Sequence, residues 1–168
     1  MRHRRHTLVL SIYLNTRGFA FVLFEGSLAP FDWAAQTIRG RRKHARCLLR
    51  IAALLNRYEP DVIVLQDMAR ASNRRAMRLI SLNAEIDAMA QERGVPVFAY
   101  SRADVDNAFA PFGLGNKHDM AELIAKHAPA FERFVPPPRK PWMSEDARMG
   151  IFDAAALGFV FYQREGSE

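Results

Sequence analysis

The sequence predicts an α/β fold, with a five-stranded mixed sheet built from an antiparallel meander followed by parallel strands, and helices on both faces. Three observations support this prediction. Short apolar runs separated by turn residues open the chain, and a three- and four-residue apolar period begins near residue 41. Two further apolar runs then alternate with helical segments, which is typical of crossover connections between parallel strands.

The first three predicted strands form the meander. Residues 7–14 and 19–24 are rich in β-branched, aromatic and aliphatic side chains, and residues 15–18 (NTRG) between them have turn chemistry. A third extended segment, 30–36, follows a second turn. The sequence therefore predicts a hairpin extended by one more antiparallel strand.

The middle of the chain alternates helices and strands. An apolar stripe predicts a helix over 41–58, ended by Pro60, and a second predicts a helix over 73–92. Between and after them lie two apolar runs, 61–66 and 95–99, which are typical of buried parallel strands. These segments complete the predicted sheet.

The last third of the chain is predicted to be mainly helical. Ser101 is a candidate N-cap for a helix over 102–109, and loop 110–116 leads to a helix over 117–127. Prolines make 128–141 an extended connection, and we expect Trp142 to pin that connection to the domain. A final helix is expected over 146–162.

Composition indicates one ordinary globular domain. The chain has 168 residues, of which 49% are hydrophobic and 25% charged, and its single cysteine, Cys47, excludes an intramolecular disulfide. We predict a basic tail over 1–6, one domain over 7–162 and a short tail over 163–168. No apolar run is long enough to span a bilayer and no signal-peptide pattern is present, so we expect a cytoplasmic protein without membrane contact.

The net charge of +6 is unevenly distributed. Basic residues cluster at 2–6, 39–50, 70–78 and 133–140, whereas acidic residues concentrate elsewhere. A basic face suits a polyanion such as nucleic acid. The alternative is a set of solvated helix faces with a basic tail, and charge alone leaves both interpretations open.

Five local motifs in this order resemble the RuvC-like Holliday-junction resolvases of the ribonuclease-H-like superfamily. They are LSIYLNTRGFAFVLFEG (10–26), EPDVIVLQD (59–67), GVPVFAYSRADVDNAF (94–109), GNKHDMAELI (115–124) and FDAAALGFVF (152–161). The resemblance covers about residues 7–162. It implies a ribonuclease-H-like fold, and an endonuclease that cuts branched DNA with magnesium or manganese ions.

The resemblance places acidic metal ligands at positions that this chain has partly replaced. The first-strand position falls on Tyr13 and the fourth-strand position on Gln66, with Asp67 beside it. On the last helix, Asp153 matches an acidic position, and Asp146 is expected two turns earlier on the same face. Asp153 is therefore a candidate metal ligand with Asp67 and Asp146 as helpers, or else a helix residue paired with Arg148 or Arg17. Glu145 and Asp146 are also candidates for simple stabilisation of the helix N-terminus.

The residues that the resemblance implies for DNA binding are better retained. Lys117 matches the lysine that lies near the DNA backbone in this family. A positive rim is expected from basic residues near the carboxyl ends of the strands. Phe109, Phe112 and Trp142 are candidates for stacking on unpaired bases, with core packing as the alternative for Phe109 and attachment of the proline-rich connection as the alternative for Trp142. These predicted contacts are Lys117, Arg17, Arg70, Arg74, Arg75, Arg102 and Phe112. The resemblance also implies a homodimer through the helix at 73–92, whose apolar stripe is equally compatible with ordinary core packing.

Three functions follow from these observations. The first is a nucleic-acid-binding pseudo-nuclease of the RuvC type, favoured because two acidic positions are lost. The second is a divergent endonuclease that is still active on branched DNA. The third is a protein-interaction or regulatory scaffold that does not bind nucleic acid.

Overall fold

The computed structural model describes residues 8–68 and 74–166, without the side chain of Arg75. Predicted contacts of Arg70 and of the Arg75 side chain, and the tail at 1–6, lie outside this description. The strands are β1 (Val9–Leu14), β2 (Gly18–Phe24), β3 (Pro30–Thr37), β4 (Val62–Gln66) and β5 (Val97–Tyr100). The helices are α1 (Lys43–Tyr58), α2 (Arg74–Glu92), α3 (Arg102–Phe109), α4 (Lys117–His127) and α5 (Met149–Glu165).

The strands form one five-stranded sheet in the order β3-β2-β1-β4-β5. The β1–β2 and β2–β3 pairs are antiparallel, whereas β1–β4 and β4–β5 are parallel. Ser11 of β1 lies opposite Val22 on one side and Val64 on the other. The predicted fold class, an antiparallel meander followed by parallel strands, is confirmed.

Alternate residues of β1 point to opposite faces of the sheet. Apolar side chains therefore lie on both faces, and helices cover both of them. Leu10, Ile12 and Leu14 belong to one buried cluster, which they form with residues of α1 and α2. Val9 belongs to the other, which contains residues of α3, α4 and α5, and Tyr13 packs against it. The final helix α5 is buried along most of its length and crosses β1 and β2.

Prediction and structure differ most clearly at three elements. The last helix begins at Met149 and ends at Glu165, not at 146 and 162, and a turn in which the Met149 N–H donates to the Asp146 carbonyl precedes it. Strand β5 is the edge of the sheet and is only partly buried, since one of its sides has no neighbouring strand. The connection after α4 is not extended throughout, because Pro129–Phe134 forms a 3₁₀ helix.

The prediction that Trp142 pins the proline-rich connection is wrong. Trp142 is 79% exposed. Instead the connection is anchored by Phe131 and Phe134, whose rings pack against Trp33 with centroid distances of 5.0 and 5.9 Å. Aromatic pairs of this kind stabilise the connection at its amino end.

Capping residues position the two helices nearest the candidate site. Ser101 accepts a hydrogen bond from the Asp104 N–H, and the Asp104 carboxylate accepts one from the Ser101 N–H, so α3 begins with the predicted cap in a full capping box. The Asn116 side chain accepts from the Asp119 N–H and starts α4. Among the described residues, no helix is both long and apolar enough to cross a membrane.

Candidate functional site

A cavity of about 70 Å³ lies where the carboxyl ends of β1 and β4 meet α3, α4 and α5. Ligands of open α/β sheets bind at this edge, because the loops that follow parallel strands converge there. The cavity contains both replaced acidic positions and the retained one. Its lining residues are Tyr13, Gln66, Arg102, Val105, Asp106, Lys117, Met120, Asp153, Ala156 and Leu157.

The ammonium of Lys117 lies at the centre of the polar contacts. Its Nζ is 3.1 Å from Asp153 Oδ1 and 3.2 Å from Oδ2, and 3.4 Å from Glu145 Oε2. The same Nζ lies 5.7 Å from the centroid of the Tyr13 ring. Burial disfavours the charged amine, but the two carboxylates outweigh it and raise the pKa of Lys117. Lys117 is therefore a fixed cation in the cavity.

Asp153 is the buried partner of this ion pair, with 7% of its surface exposed. Burial raises its pKa to about 6, although the ammonium of Lys117 works in the opposite direction. Its position is set by the next residue, because the buried Ser11 hydroxyl donates to the Ala154 carbonyl at 2.5 Å and ties α5 to β1. The partners that the sequence suggested for Asp153, Arg148 and Arg17, are replaced by Lys117.

Tyr13 stands at the first-strand position and remains a neutral phenol. Burial raises its pKa, and the negative charge of Asp153 raises it further, against the opposing effect of Lys117. A phenol that does not ionise near neutral pH is a poor ligand for hard cations, which prefer carboxylate oxygens. The first strand therefore contributes an aromatic wall to the cavity and no negative charge.

The cavity residues do not fit a pair of magnesium or manganese ions. Such a pair needs several carboxylates, whereas Tyr13 and Gln66 are uncharged and the carboxylates of Asp153 and Glu145 are already paired with Lys117. The remaining acid of the lining, Asp106, is exposed on α3. Within residues 8–68 and 74–166, no three His, Cys, Asp or Glu side chains are grouped as a metal site. The ammonium of Lys117 lies between the carboxylates of Asp153 and Glu145, which is the position that a metal ion would need.

Two predicted helper acids lie elsewhere. Asp67 lines a separate depression of about 370 Å³ between β4, β5 and α2. Asp146 precedes α5 rather than lying on it, so the predicted shared helical face with Asp153 is wrong. Its carboxylate pairs with Arg148, with Oδ2 at 2.7 Å from Nη2, and this partner lowers the pKa of Asp146.

The predicted nucleic-acid contacts lie on several elements, and not all of them line the cavity. Arg102 lines it directly, and its charge acts on both Tyr13 and Asp153. Arg74 is exposed at the start of α2. Phe112 is 48% exposed and contacts Phe109 and Phe159, with ring centroids 6.4 and 6.5 Å away.

A basic cleft of about 480 Å³ lies beside the first turn, and sequence reasoning found only part of it. We name it the Arg17 cleft, and it is lined by Thr16, Arg17, Thr37, Ile38, Arg39, Lys43 and Ala147. Asn15 shapes the turn, because its Oδ1 accepts from the N–H groups of Arg17 and Gly18 at 2.9 and 3.0 Å. Lys43 donates to the Thr16 carbonyl and so joins α1 to this turn. The charge run at 39–50 was the available signal for Arg39 and Lys43.

Glu145 and Asp106 are the acidic residues of the site that the sequence analysis did not assign to it. Glu145 was expected to stabilise a helix N-terminus, but α5 begins four residues later and Glu145 turns toward Lys117. Asp106 lies on α3 and lines the cavity. No local pattern identifies either residue, because their contacts come from separate elements.

Comparison with solved structures identifies the fold. Thermus thermophilus RuvC in complex with a Holliday junction substrate is similar with a TM-score of 0.68 and 20% identity, over 96% of this chain and 98% of that one. Another Thermus thermophilus RuvC structure has a TM-score of 0.66 with the same identity and coverage. The yeast mitochondrial Holliday junction resolvase Ydc2 has a TM-score of 0.63 and 15% identity, over 95% of this chain and 80% of that one.

These similarities show the fold. The chain has the ribonuclease-H-like fold of the RuvC-type resolvases along nearly its whole length, as the sequence motifs predicted. The sequence itself matches no protein-family model and no curated protein.

Proposed function

We propose that the chain is a RuvC-type nucleic-acid-binding protein that recognises branched DNA. In this proposal it does not cut the DNA, because it lacks the carboxylates of a two-metal mechanism. The similar solved structures named above are those of RuvC and of the Holliday junction resolvase Ydc2, and one RuvC structure is in complex with a Holliday junction substrate. The net charge of +6 agrees with a polyanionic partner. The fold supports the DNA partner, and the site supports the absence of cleavage.

The observation that carries the proposal is the replacement of two acidic positions by Tyr13 and Gln66, in a cavity where the buried Asp153 is paired with Lys117. The Lys117 ammonium bridges Asp153 and Glu145 in the cavity where the resemblance places metal ligands. An ammonium neutralises carboxylates but does not polarise water as a divalent cation does. With Tyr13 and Gln66 uncharged, the cavity keeps one buried carboxylate and supplies its countercharge from within the chain.

DNA binding is proposed to use the basic residues around the cavity. Arg17, Arg39 and Lys43 line the Arg17 cleft, and Arg102 lies at the rim of the cavity. Arginine forks and lysine ammonium groups bind phosphate oxygens, which sets the register of the duplex without reading its sequence. This arrangement favours recognition of DNA by its shape and by the position of its phosphate backbone.

A homodimer is part of the proposal. RuvC-type resolvases are expected to meet a two-fold junction as a symmetric pair, and α2 presents Met77 with 58% of its surface exposed. An exposed methionine on the helix predicted for dimerisation is compatible with a partner surface.

Binding and cutting are tested together on a four-way DNA junction with magnesium or manganese. We expect binding whose affinity falls linearly on a log–log plot as salt rises, because phosphate contacts release counterions. We expect no cleavage products. The double variant Arg17→Gln/Lys43→Gln should bind more weakly and lower the salt slope by about 2, one for each lost phosphate contact.

Two results would replace the proposal. Junction cutting that Asp153→Asn abolishes identifies the chain as an active divergent endonuclease. Absence of binding to any DNA at low salt identifies it as a protein-interaction or regulatory scaffold. The variant Arg133→Gln removes one positive charge on the connection after α4, outside the Arg17 cleft and the cavity, and as a control it should bind as the unchanged chain does.

A further inference from the structure

A sharp turn in the proline-rich connection carries eight consecutive exposed residues, 137–144. We name this segment the Trp142 turn. The Met143 N–H donates to the Lys140 carbonyl at 3.0 Å, which closes a four-residue turn with Pro141 in its second position. The fixed backbone angle of proline suits that position. The turn therefore holds Trp142 at its tip, away from the core.

The side chain at the tip is unusual for a solvated loop. Trp142 is 79% exposed, the largest value among the exposed large apolar side chains of the described residues. The Lys140 Nζ lies 5.4 Å from the centroid of its ring. This cation contact orients the indole while most of its surface stays open to a ligand.

Both ends of the turn are attached to the domain, and the carboxyl end is attached at the candidate site. On the amino side, Pro136 is buried and Phe134 packs against Trp33. On the carboxyl side, Glu145 contacts Lys117 in the cavity. Trp142 lies three positions before Glu145, so their Cα atoms are at most about 11 Å apart. Trp142 is thereby confined to the neighbourhood of the cavity.

The charge of the segment indicates which class of ligand binds at the indole. Residues 135–144 contain no acidic side chain, and Arg139 and Lys140 precede the tryptophan. An exposed aromatic ring beside two cations is the combination that binds single-stranded nucleic acid, because bases stack on the ring while phosphates meet the cations. An apolar protein surface would not need the two cations.

We propose that Trp142 stacks on an unpaired base of bound nucleic acid, and that Arg139 and Lys140 contact the adjacent phosphates. This inference rests on the proposed function and adds a contact with unpaired bases to it. Stacking on a preorganised ring is favourable because the turn has already lost most of its conformational freedom.

The test compares two ligands with the full chain: an oligothymidine strand and a fully paired duplex of the same length. Trp142→Ala should weaken binding of the oligothymidine by roughly 5- to 100-fold, the range for loss of one stacked base, and leave duplex binding unchanged. Trp142→Phe should keep most of the affinity because it retains a ring. Trp142 is exposed, so urea unfolding should show equal stability for all three proteins.

Fluorescence gives an independent readout, because the chain has two tryptophans, Trp33 and Trp142. Oligothymidine should quench the unchanged chain but not Trp142→Phe, in which only the packed Trp33 emits. Equal oligothymidine affinity of Trp142→Ala and the unchanged chain overturns the stacking inference while leaving junction binding intact. Failure of the unchanged chain to bind any DNA overturns the proposed function as well, and assigns the exposed turn to a protein partner.

Discussion

The ammonium of Lys117 joins two carboxylates that are distant in sequence, Asp153 on α5 and Glu145 before it. Lys117 is the first residue of α4, where the positive end of the helix dipole disfavours a cation. Its contacts with the carboxylates compensate for that position. A lysine held at an unfavourable helix end by two acids is better explained by the site than by helix stability.

The raised pKa of Asp153 predicts how stability depends on pH. Its folded pKa is about 6 against an ordinary value of 3.8, so the folded chain keeps this proton at higher pH than the unfolded chain. The stabilisation from that proton is complete below the unfolded pKa and is lost as pH rises through the folded pKa. Asp153→Asn cannot titrate, so its stability relative to the unchanged chain should rise by about 3 kcal/mol between about pH 4 and pH 7, measured by urea unfolding.

Lys117→Met provides the control for this pH dependence. The ammonium lowers the pKa of Asp153, so its removal should move the pH-dependent loss of stability to higher pH. If the pH midpoint of this stability loss is unchanged in Lys117→Met, then Lys117 and Asp153 do not form an ion pair in solution.

At the scale of elements, α5 determines where the site lies because it packs closely on the sheet. Small residues allow this approach: a Cβ added to Gly158 would lie 2.5 Å from Phe24 Cε2, and one added to Gly150 would lie 3.0 Å from Ala20 Cβ. Close packing and the Ser11 hydrogen bond bring Asp153 beside β1. The position of the buried carboxylate therefore depends on glycines that do not themselves line the cavity.

Gly158→Ala tests this packing. Helix propensity alone would favour alanine over glycine by about 1 kcal/mol. Because Phe24 is buried and its ring would have to move, we expect a net destabilisation of about 1–3 kcal/mol, measured by urea unfolding. Gly115→Ala is the control, since nothing lies within 4 Å of its added Cβ, and it should change stability little. A stabilised Gly158→Ala protein would show that α5 is held less closely than described.

For the whole molecule, the topology separates two surfaces. The cavity and the Arg17 cleft lie at the carboxyl ends of β1 and β4, whereas α1 and α2 cover one face of the sheet. A partner subunit on α2 would thus leave the cavity accessible. Binding of DNA and pairing of subunits are compatible on this arrangement.

The proposed dimer is testable by sedimentation equilibrium. We expect a species of twice the chain mass, and we expect Met77→Lys to weaken the dimer by about tenfold or more, because a charge at the centre of an apolar interface is costly. Leu49→Lys on α1 is a matched control, since Leu49 is 70% exposed on a different helix. A monomer at all concentrations, or equal effects of both variants, would contradict an interface on α2.

Local patterns in the sequence were enough to predict the sheet and most of the helices. The apolar run of β1, the helical periods of α1 and α2 and the cap at Ser101 are properties of neighbouring residues, so the chain itself encodes them. The predicted start of α5 differs from the observed start by only three residues. Glu145 and Asp146 are compatible with a helix start, which explains the prediction. In the structure Asp146 instead pairs with Arg148 in the turn before the helix.

The sequence by itself determined the fold class and the loss of acidic side chains at Tyr13 and Gln66. Only the tertiary structure decided that Lys117 pairs with Asp153 across 36 positions, that Glu145 joins them and that Trp142 is exposed. The physical reason is the range of the interactions. Backbone periodicity acts over a few residues, whereas an ion pair or an exposed ring depends on where separate elements bring side chains together in space.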